Sequence, residues 1–450
     1  MRYDVVVIGA GPAGYECASL LAKEGKNVAI VEKNENKIGG TCLNEGCVPA
    51  KHYLESASYI SKKEYMQSCG VNIKNLSLDI MALKNKKIEL IEQLRSGINT
   101  KLKKAKVTTI FGAASFESKE SIKVGRELIY SEKFVIASGS VHRPHPLLEI
   151  DGKQIISSKE VFDLEKIPSS ILIVGGGAIG CEFATFFNSI GTKVDIAEFT
   201  SQIVPAEDID VAKGLKRELE KKGITISVDT NVTKFEKSDD SVTITMQTKK
   251  GEIKKSYETV LVSIGRSSNT SELNLEKAGV YTNRDFIITD ENLQTNNPNI
   301  YAIGDVLMTP ALAHSAYNEA NVVANNIAHN SACRPLTVIP FVTFCQPQVA
   351  SVGKNEKMLK AENIEYIAIK HFYKSSAKAK IKGDDSGFIK LLCDKDSDII
   401  LGGAMLGNDT TEHIHQILIA INAKLTRKDL VNMVFAHPTL SESLWEMVKS

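Results

Sequence analysis

The sequence has almost no net charge, because 55 Lys and Arg residues oppose 54 Asp and Glu residues. Without a basic excess, nucleic acid is a poor candidate partner, and without an acidic tail so is a basic protein ligand. Long apolar runs are also missing near the start, where residues 5–8 are too few for a signal-peptide core or a membrane span. We therefore expect a soluble, cytoplasmic protein with a small or nucleotide-sized substrate and no membrane partner.

Cysteine is scarce as well, with eight residues in a chain of 450. This number excludes a disulfide-stabilised scaffold, and in a reducing compartment the disulfides that do form tend to be transient and catalytic. Two of the eight, Cys42 and Cys47, stand five positions apart and favour a redox role. The remaining six have no near partner in the sequence and are expected to be ordinary thiols: Cys17, Cys69, Cys181, Cys333, Cys345 and Cys393.

Cys42 and Cys47 lie in the glycine-rich segment 39–51. In a regular helix, residues five apart have Cα atoms roughly 8 to 9 Å from each other, whereas a disulfide requires less than about 7 Å. If the two thiols pair, Cys42 must lie in a non-helical lead-in or a distorted first turn, which the three glycines of the segment permit. A helix N-terminus would also favour a thiolate at either position. A buried pair of small apolar residues and half of a metal site are the alternatives, but no second Cys or His pair at zinc-site spacing is apparent, so we predict no metal.

A nucleotide-binding unit precedes the cysteines. Residues 4–32 predict a strand, a turn that contains Gly9, Gly11 and Gly14, a helix, and a second strand that ends at Glu32. The first two glycines allow a tight turn and close approach of a pyrophosphate, the third lets the helix pack on the strand, and the helix N-terminus stabilises the phosphate charge. Glu32 is placed to accept a hydrogen bond from a ribose hydroxyl.

The same unit recurs 166 residues later, with Gly175 standing for Gly9. Such a register predicts two like-folded dinucleotide domains. At the second one Glu198 would bind a free 2′-hydroxyl and repel a 2′-phosphate, and residues 199–204 contain no Arg, so NAD is preferred over NADP. Seven positions of the first unit map without change of offset onto Gly175, Gly177, Gly180, Glu182, Gly191, Val194 and Glu198.

Between the two units, apolar residues at helical spacing over 77–106 predict one long helix with a solvated basic face. Short strands are expected at 107–116 and 123–137. A later strand ends at Asp305, which could accept hydrogen bonds from the ribitol of a cofactor or merely end the strand in a turn. From residue 341 onward, short β-rich runs around two helices predict a separate α+β domain that packs on its own chain or on a second copy. The basic residues of the long helix are Lys84, Lys86, Lys87, Arg95, Lys101, Lys103, Lys104 and Lys106.

The tail contains His437, Pro438, Thr439 and Glu442. Thr439 and Glu442 have the spacing of a capping box, which would use Glu442 only to start the final helix. Alternatively, Pro438 keeps His437 outside that helix, and the carboxylate orients the imidazole and stabilises its protonated form, as a general base requires.

Taken together, these residues resemble the pyridine nucleotide-disulfide oxidoreductases, and within them the dihydrolipoamide dehydrogenases. The resemblance runs nearly end to end and rests on the paired glycine turns, Gly-Gly-Thr-Cys42-x4-Cys47-x-Pro-x-Lys51, Ala-Ile-Gly304-Asp305, Leu312-Ala-His314 and His437-Pro-Thr-x-x-Glu442. It implies an α/β fold with two Rossmann-like dinucleotide-binding domains of the glutathione reductase type and a C-terminal α+β dimerisation domain. The implied ranges are 1–146 and 269–336 for the FAD-binding domain, 147–268 for the NAD-binding domain and 337–450 for the dimerisation domain.

The resemblance also implies the chemistry. Through a Cys42–Cys47 disulfide and FAD, such an enzyme oxidises protein-bound dihydrolipoamide to lipoamide and reduces NAD to NADH. Cys42 exchanges with the substrate, Cys47 lies against the flavin, and His437, held by Glu442, serves the other subunit of a homodimer. The implied partner is a lipoyl-bearing protein of a 2-oxo acid dehydrogenase or glycine cleavage complex. The implied cofactor-binding residues are Gly9, Gly11, Gly14, Glu32, Lys33, Thr41, Lys51, Gly112, Ser138, Gly139, Gly175, Gly177, Gly180, Glu182, Glu198, Gly265, Arg266, Asp305, Ala313 and His314.

Several residues depart from the family pattern. Glu45 lies between the cysteines where relatives usually have an apolar residue, and an inward carboxylate would oppose thiolate formation. The other departures are Ala50, Phe344, Gln346, Gln348 and Phe435.

The sequence leaves two alternative functions open. One is an NAD(P)H-dependent disulfide reductase of the same family acting on another disulfide, and the other is a non-catalytic flavoprotein that serves as an assembly subunit.

Overall fold

The computed structural model describes residues 1–449, which form 14 α-helices and 24 β-strands. The helices are α1 (Pro12–Lys23), α2 (Gly40–Glu45), α3 (Cys47–Ser61), α4 (Lys63–Ser68), α5 (Ile80–Lys104), α6 (Ala178–Ser189), α7 (Ile209–Lys221), α8 (Leu275–Ala278), α9 (Ala313–His329), α10 (Glu356–Ala361), α11 (Ala377–Ile381), α12 (Thr410–Asn422), α13 (Arg427–Val431) and α14 (Glu442–Lys449). The first twelve strands are β1 (Arg2–Ile8), β2 (Val28–Glu32), β3 (Thr108–Phe111), β4 (Ala114–Ser118), β5 (Ser121–Val124), β6 (Glu127–Ile136), β7 (Ser140–His142), β8 (Ile155–Ser157), β9 (Ser170–Val174), β10 (Lys193–Ala197), β11 (Thr225–Ser227) and β12 (Asn231–Lys237). The others are β13 (Val242–Thr248), β14 (Gly251–Tyr257), β15 (Thr259–Val262), β16 (Arg266–Ser268), β17 (Thr282–Asn283), β18 (Phe286–Ile287), β19 (Ile300–Ala302), β20 (Phe341–Thr343), β21 (Gln348–Gly353), β22 (Tyr366–Phe372), β23 (Phe388–Asp394) and β24 (Ile400–Gly407).

The chain divides into two compact units, each assembled from three stretches of sequence. The first unit contains Met1–Ala50, Lys84–Arg143 and Gly265–Thr337. The second contains Lys51–Leu83, Pro144–Ile264 and the chain from Val338 on.

The first unit is built on a sheet in which β3, β2, β1 and β6 run parallel in that order. β19 also pairs in parallel with β6, while β5 and β4 extend the sheet as an antiparallel flank. The central strands are almost continuously apolar, as parallel strands covered on both faces are, and Val6, Val7 and Ile30 are completely buried.

The second unit contains a parallel sheet of strand order β11-β10-β9-β15-β8 and an antiparallel sheet β12-β13-β14. Its C-terminal part is an antiparallel sheet of order β20-β21-β24-β23-β22, on which α12 packs. The fold class, with two dinucleotide-binding units and a C-terminal α+β part, is therefore confirmed.

The repeated unit found in the sequence is also a structural repeat. α1 and α6 have twelve residues each and begin 166 positions apart, at Pro12 and Ala178. Their N-caps, Gly11 and Gly177, have nearly the same backbone angles, with φ of −72° and −71° and ψ of −176° and −172°. The constant offset in the sequence thus predicts equal geometry.

One expectation for α5 is wrong in part, because not all of its basic side chains are solvated. Lys87 is only 7% exposed. Arg95 donates to Asn44 Oδ1 at 2.7 Å, and Lys101 bonds to Glu16. Helical periodicity identifies the apolar stripe but not the polar side chains that pair along its edges.

No helix within residues 1–449 is long and apolar enough to cross a membrane.

Candidate active site

The first glycine turn leaves no room for side chains where the sequence predicts none. Gly9 has φ of +102°, and a Cβ there would lie 2.4 Å from the carbonyl oxygen of Ala137. A Cβ on Gly14 would lie 1.9 Å from the oxygen of Gly9. At Gly11 a Cβ would contact only Gly40, at 3.8 Å. The turn and the unpaired N–H groups that begin α1 therefore fit a pyrophosphate, as FAD requires.

Glu32 is held against this turn. One carboxylate oxygen accepts from the amide of Ala10 at 2.9 Å and the other from Asn34 at 3.3 Å. Burial raises the pKa of Glu32, although these backbone N–H groups oppose the shift. Two other predicted cofactor-binding residues lie nearby. The amide of Gly112 donates to the backbone carbonyl oxygen of Glu32 at 2.9 Å, whereas Lys33 lies at the surface and pairs with Glu272.

The second glycine turn repeats this arrangement. A Cβ on Gly175 would lie 2.5 Å from the oxygen of Ser263, and one on Gly180 would lie 2.0 Å from the oxygen of Gly175. Nothing lies within 4 Å of a Cβ placed on Gly177, so the N-terminus of α6 is open to a dinucleotide. Glu198 accepts from the amides of Gly176 at 2.6 Å and Thr200 at 2.7 Å, and it is only 6% exposed.

The position of Glu198 gives a coenzyme prediction. We expect the enzyme to prefer NAD⁺ over NADP⁺ by about 10²-fold or more in kcat/KM, since like-charge contacts cost several kcal/mol. Glu198→Gln keeps one oxygen acceptor for the backbone amides and removes the charge, so it should lower KM for NADP⁺ and raise KM for NAD⁺. Steady-state kinetics with both coenzymes measure this. Glu252→Gln, an exposed acid of β14, controls for net charge, and an unchanged coenzyme ratio in Glu198→Gln would contradict the assignment.

The cysteine segment differs from the expectation in one respect. Cys42 lies inside the short helix α2, and the helix is interrupted at Gly46, where φ is −140° and ψ is −112°. Cys47 directly follows Gly46 and is the first residue of the fifteen-residue helix α3. Cys42 is the third residue of the six-residue α2, and Cys47 is the first residue of the much longer α3, so each cysteine lies in the first turn of a helix, where a thiolate is favoured. Cys42 is half-buried and Cys47 is exposed.

The same segment is tied to the first glycine turn. The amide of Gly39 donates to the oxygen of Ala10 at 2.8 Å. A Cβ on Gly40 would lie 2.6 Å from the Cα of Gly11, and Gly40 has φ of +63°. Glycine at both positions thus brings the backbone that carries the cysteines against the dinucleotide turn.

Glu45, the acid between the cysteines, has a cationic partner. Its carboxylate bonds to Lys37, and both side chains are partly exposed. Because the lysine offsets the negative charge, Glu45 opposes thiolate formation less than an isolated carboxylate would. Thr41, a predicted cofactor-binding residue, lies exposed in α2.

Asp305 belongs to a hydrogen-bonded group in the first unit. Ser140 Oγ donates to Asp305 Oδ2 at 2.6 Å, and Arg266 donates to both Oγ and the carbonyl oxygen of Ser140 at 2.6 Å. Burial lowers the pKa of the Arg266 guanidinium, while the Asp305 carboxylate acts in the opposite direction. Of the other predicted residues, Ser138 Oγ donates to the oxygen of Asn269 at 2.8 Å. The chain turns at Gly139 with φ of +74° and at Gly265 with φ of +103°.

Glu319 is a residue of this group that the sequence does not identify. It is 1% exposed in α9 and accepts from the amide of Gly304 at 2.6 Å, next to Asp305. Burial raises its pKa. A single acid within a helix gives no sequence signal, because its partner lies 15 residues earlier in a turn. Ala313 and His314 form the first turn of the same helix, with His314 exposed.

In the second unit, Lys51 and Glu182, both predicted to bind a cofactor, form an ion pair. The ammonium group donates to both carboxylate oxygens at 2.9 and 2.8 Å. Phe344, a departure from the family pattern, completes this group: its amide donates to Glu182 Oε1 at 2.9 Å, and its ring centre lies 4.7 Å from Lys51 Nζ. The ion pair is therefore fixed by backbone and by an aromatic ring. The adjacent thiols of Cys181 and Cys345 are buried, which raises the pKa of each and keeps it protonated.

Glu442 fulfils both of the alternatives that its spacing left open. Its Oε1 accepts from the amide of Thr439 at 3.1 Å, and its own amide donates to Thr439 Oγ1 at 3.2 Å, which is capping-box geometry. Its Oε2 lies 2.9 Å from His437 Nδ1. The imidazole is 73% exposed whereas the carboxylate is 10% exposed. One buried acid thus caps α14 and orients an exposed imidazole through its Nδ1.

A cavity of about 430 Å³ opens in the first unit between α1, α5 and α9. Tyr15 and Tyr317 meet in its wall, with their hydroxyl oxygens 2.5 Å apart. Burial and this hydrogen bond raise the pKa of Tyr15. Sequence reasoning missed both tyrosines, because neither belongs to a motif. Lys101 and Glu16, paired with each other, complete the polar side of the cavity.

Residues 3–320 match the pyridine nucleotide-disulphide oxidoreductase family, and residues 339–448 match the dimerisation domain of the same family. The chain is 33% identical to the dihydrolipoyl dehydrogenase of Bacillus subtilis over 452 residues, which covers 99% of this chain and 98% of the relative. It is 35% identical to the mitochondrial dihydrolipoyl dehydrogenase of Pisum sativum, with 98% and 90% covered. The resemblance stated from the sequence is thereby confirmed.

Two solved structures have the same fold. The HOCl-induced flavoprotein disulfide reductase RclA from Escherichia coli has a TM-score of 0.89 and 26% identity, with 99% of each chain covered. LpdA from Mycobacterium tuberculosis has a TM-score of 0.90 over 100% of this chain and 99% of that one, and at 23% identity it supports the fold alone.

Proposed function

The chain belongs to the pyridine nucleotide-disulphide oxidoreductases, and we propose that its substrate is dihydrolipoamide carried on a protein. It is an oxidoreductase of the dihydrolipoyl dehydrogenase type, and its cofactors are FAD and NAD. The proposed reaction oxidises the dihydrolipoyl dithiol to the cyclic disulfide and reduces NAD⁺ to NADH.

The observation that carries the proposal is the pair His437 and Glu442. An exposed imidazole whose Nδ1 is held by a buried carboxylate at 2.9 Å suits removal of a proton from a thiol that arrives from outside. A dithiol dehydrogenase of this kind needs a base because a free thiol, with a pKa of about 8.5, is mostly protonated at neutral pH.

The thiol chemistry is assigned to two residues in separate roles. In the oxidised enzyme Cys42 and Cys47 share a disulfide. His437 takes the proton of the first substrate thiol, the thiolate attacks Cys42 Sγ, and the Cys42–Cys47 bond breaks with Cys47 leaving as a thiolate. The second substrate thiol then attacks the mixed disulfide, which releases the oxidised substrate and leaves Cys42 as a thiol. When bound, FAD supplies the acceptor for the electron pair of the two cysteines, and NAD⁺ removes that pair.

Cys47 suits the leaving role because it begins α3, whose N-terminal N–H groups stabilise a thiolate. Lys51 lies one turn further along the same helix. We assign FAD to the first glycine turn, with Glu32 and Asp305 as acceptors for sugar hydroxyls, and NAD to the second turn with Glu198. Lys51 is assigned to the flavin and Glu182, its ion-pair partner, to the nicotinamide.

We further propose a homodimer in which His437 serves the thiols of the other subunit. The match of residues 339–448 to a dimerisation domain supports the homodimer. Residues 1–146 and 269–336 would then form the FAD domain and 147–268 the NAD domain. The names of the relatives support a lipoyl-bearing partner. That this partner belongs to a 2-oxo acid dehydrogenase or glycine cleavage complex is part of our proposal.

Glu442→Gln separates the orienting role of the carboxylate from its capping role. Glutamine three residues after the capping threonine also satisfies a capping box, so the thermal midpoint of the variant should stay near that of the wild type. The orientation of His437 should be less well fixed while the base itself remains, so we expect kcat with dihydrolipoamide to fall by about tenfold to a hundredfold, less than the roughly 10²- to 10⁴-fold that a general base contributes. Reduction of the bound flavin by NADH should remain at the wild-type rate. An equal loss in both half-reactions would contradict this role.

The experiment that tests the proposed function is NADH formation from dihydrolipoamide and NAD⁺ by the purified holoenzyme. A parallel reaction supplies NADH with a set of low-molecular-weight disulfides. Turnover in the first reaction that exceeds the second supports dihydrolipoamide as substrate.

A second candidate is an NADH-dependent reductase of another disulfide, which the likeness to RclA favours. Tyr15, Tyr317 and the Lys101–Glu16 pair make the cavity wall polar, and a polar disulfide would find hydrogen-bonding partners there. Rapid reduction of such a disulfide with no turnover of dihydrolipoamide would support this second candidate instead.

A further inference from the structure

Lys390 is a buried lysine that no step of the proposed reaction uses. It lies in β23 and is 2% exposed. Its ammonium group donates to both carboxylate oxygens of Asp208 at 3.0 and 3.1 Å and to Asp210 at 3.1 Å, and it also bonds to Glu356. The three carboxylates lie within 4.8 Å of one another, and the lysine provides the positive charge at their centre.

Such a buried charge is stable only while all partners stay in place, because a lone ion loses its hydration without compensation. Asp208 is also the N-cap of α7, where it accepts from the amide of Asp210 at 3.0 Å. Lys390 therefore fixes the position at which α7 begins, and it does so from a strand 182 residues away in the sequence.

The segment that ends at Asp208 begins at Glu198, the acid of the second dinucleotide turn. Thr200 donates to Glu198 Oε1 through both its amide and its hydroxyl, at 2.7 Å each. Gln202 Nε2 then donates to the backbone carbonyl oxygen of Glu207 at 3.1 Å. Hydrogen bonds thus link the ribose-binding carboxylate to the residue that precedes Asp208.

Val204, in the middle of this segment, is strained. It has φ of +41°, in a region that β-branched residues rarely adopt. Its amide donates to the oxygen of Gly176, in the glycine turn itself, at 2.7 Å. A strained residue keeps its conformation only when its surroundings fix both sides. On one side these are Gly176 and Glu198, and on the other Asp208 with Lys390.

We propose that Lys390 is a positioning residue for the pyridine nucleotide. By anchoring Asp208 it holds the segment 198–208 in the conformation in which Glu198 and the glycine turn receive the adenosine half of NAD. The inference rests on the assignment of Glu198 to the ribose of NAD.

Binding of ADP-ribose to the oxidised holoenzyme, measured by calorimetry, tests the proposal without turnover. In Lys390→Met, which keeps an unbranched side chain one atom shorter and removes its charge, Kd for ADP-ribose should rise about tenfold. KM for NAD⁺ should rise in parallel, while kcat at saturating NAD⁺ and KM for dihydrolipoamide stay the same. Lys395→Met, which removes an exposed lysine of the same region that pairs with Glu365, is the matched control.

A second variant covers the case in which Lys390→Met fails to fold. Asp208→Asn keeps a good N-cap for α7 and weakens only the ion pair, so it should raise Kd for ADP-ribose in the same direction. Unchanged affinity in the folded variants, or a loss of flavin content and kcat without a change in Kd, would overturn the proposal.

Hydrogen exchange on the wild type adds a measurement that needs no variant. Because coupling between sites is reciprocal, ADP-ribose should slow exchange at the start of α7 and in β23 as well as around Glu198. Protection that ends at Glu198 would contradict the role of Lys390. If ADP-ribose does not bind the wild type at all, the assignment of the second turn fails, which is a different result from equal binding by wild type and variants.

Discussion

Replacing Cys42 by serine is expected to reduce dihydrolipoamide-dependent NADH formation to an undetectable rate. Serine cannot share a disulfide with Cys47, and its hydroxyl cannot form the mixed disulfide with a substrate thiol, so no smaller rate through the same route remains. The substitution replaces one sulfur atom by oxygen in a half-buried side chain of α2, so the fold and the bound flavin should be retained.

Two measurements make this expectation specific. The variant should still be reduced by NADH, as seen in the flavin absorbance, because the residues of the second glycine turn are intact. Cys69→Ser, which changes an exposed cysteine just after α4, should leave turnover unchanged. If turnover with dihydrolipoamide persists in Cys42→Ser, the dithiol is not the catalyst and a transhydrogenase or oxidase mechanism becomes the better explanation.

Replacing His437 by glutamine is expected to lower kcat with dihydrolipoamide by about 10²- to 10⁴-fold at neutral pH, the range that a general base supplies. The imidazole is exposed and its Nδ1 bonds to Glu442 Oε2, so the stability of the protein should change little. The loss should also depend on pH. As the pH approaches the pKa of a free thiol, about 8.5, the substrate ionises without help and the variant should recover part of its rate.

The pH profile distinguishes a base from a residue that only shapes the site. A structural role predicts a loss that is constant with pH, and such a result would contradict the assignment. His415→Gln provides the control, because His415 is also an exposed histidine with its Nδ1 bonded to a backbone oxygen, that of Glu412.

The parts of this protein that local geometry dictates could be predicted from its sequence. Gly9 and Gly175 have φ near +100° and no room for a side chain, and such constraints leave glycine as a visible trace at a constant offset. The end of β2 at Glu32 follows equally from local patterns. Capping by Glu442 could be predicted for the same reason.

Contacts between distant residues could not be predicted. Glu319 with Gly304, Tyr15 with Tyr317 and Lys390 with Asp208 depend on packing that no spacing rule encodes. The geometric argument placed Cys42 in a non-helical lead-in or a distorted first turn, whereas the helix is interrupted at Gly46, because the argument required irregular backbone but did not locate it. For the basic residues of α5, periodicity gave the helix, while the pairing of Arg95 with Asn44 comes from the tertiary structure.

The most direct test of the account is to map the thiols of the holoenzyme before and after anaerobic reduction by NADH. Protein quenched under denaturing conditions is alkylated and digested, and the peptide that contains Cys42 and Cys47 is analysed by mass spectrometry. We predict that both cysteines are protected as a disulfide in the oxidised enzyme and are alkylated only after reduction, while the other six are labelled equally in both states. Equal labelling of Cys42 and Cys47 before and after reduction would contradict the central claim that these two residues are the redox centre.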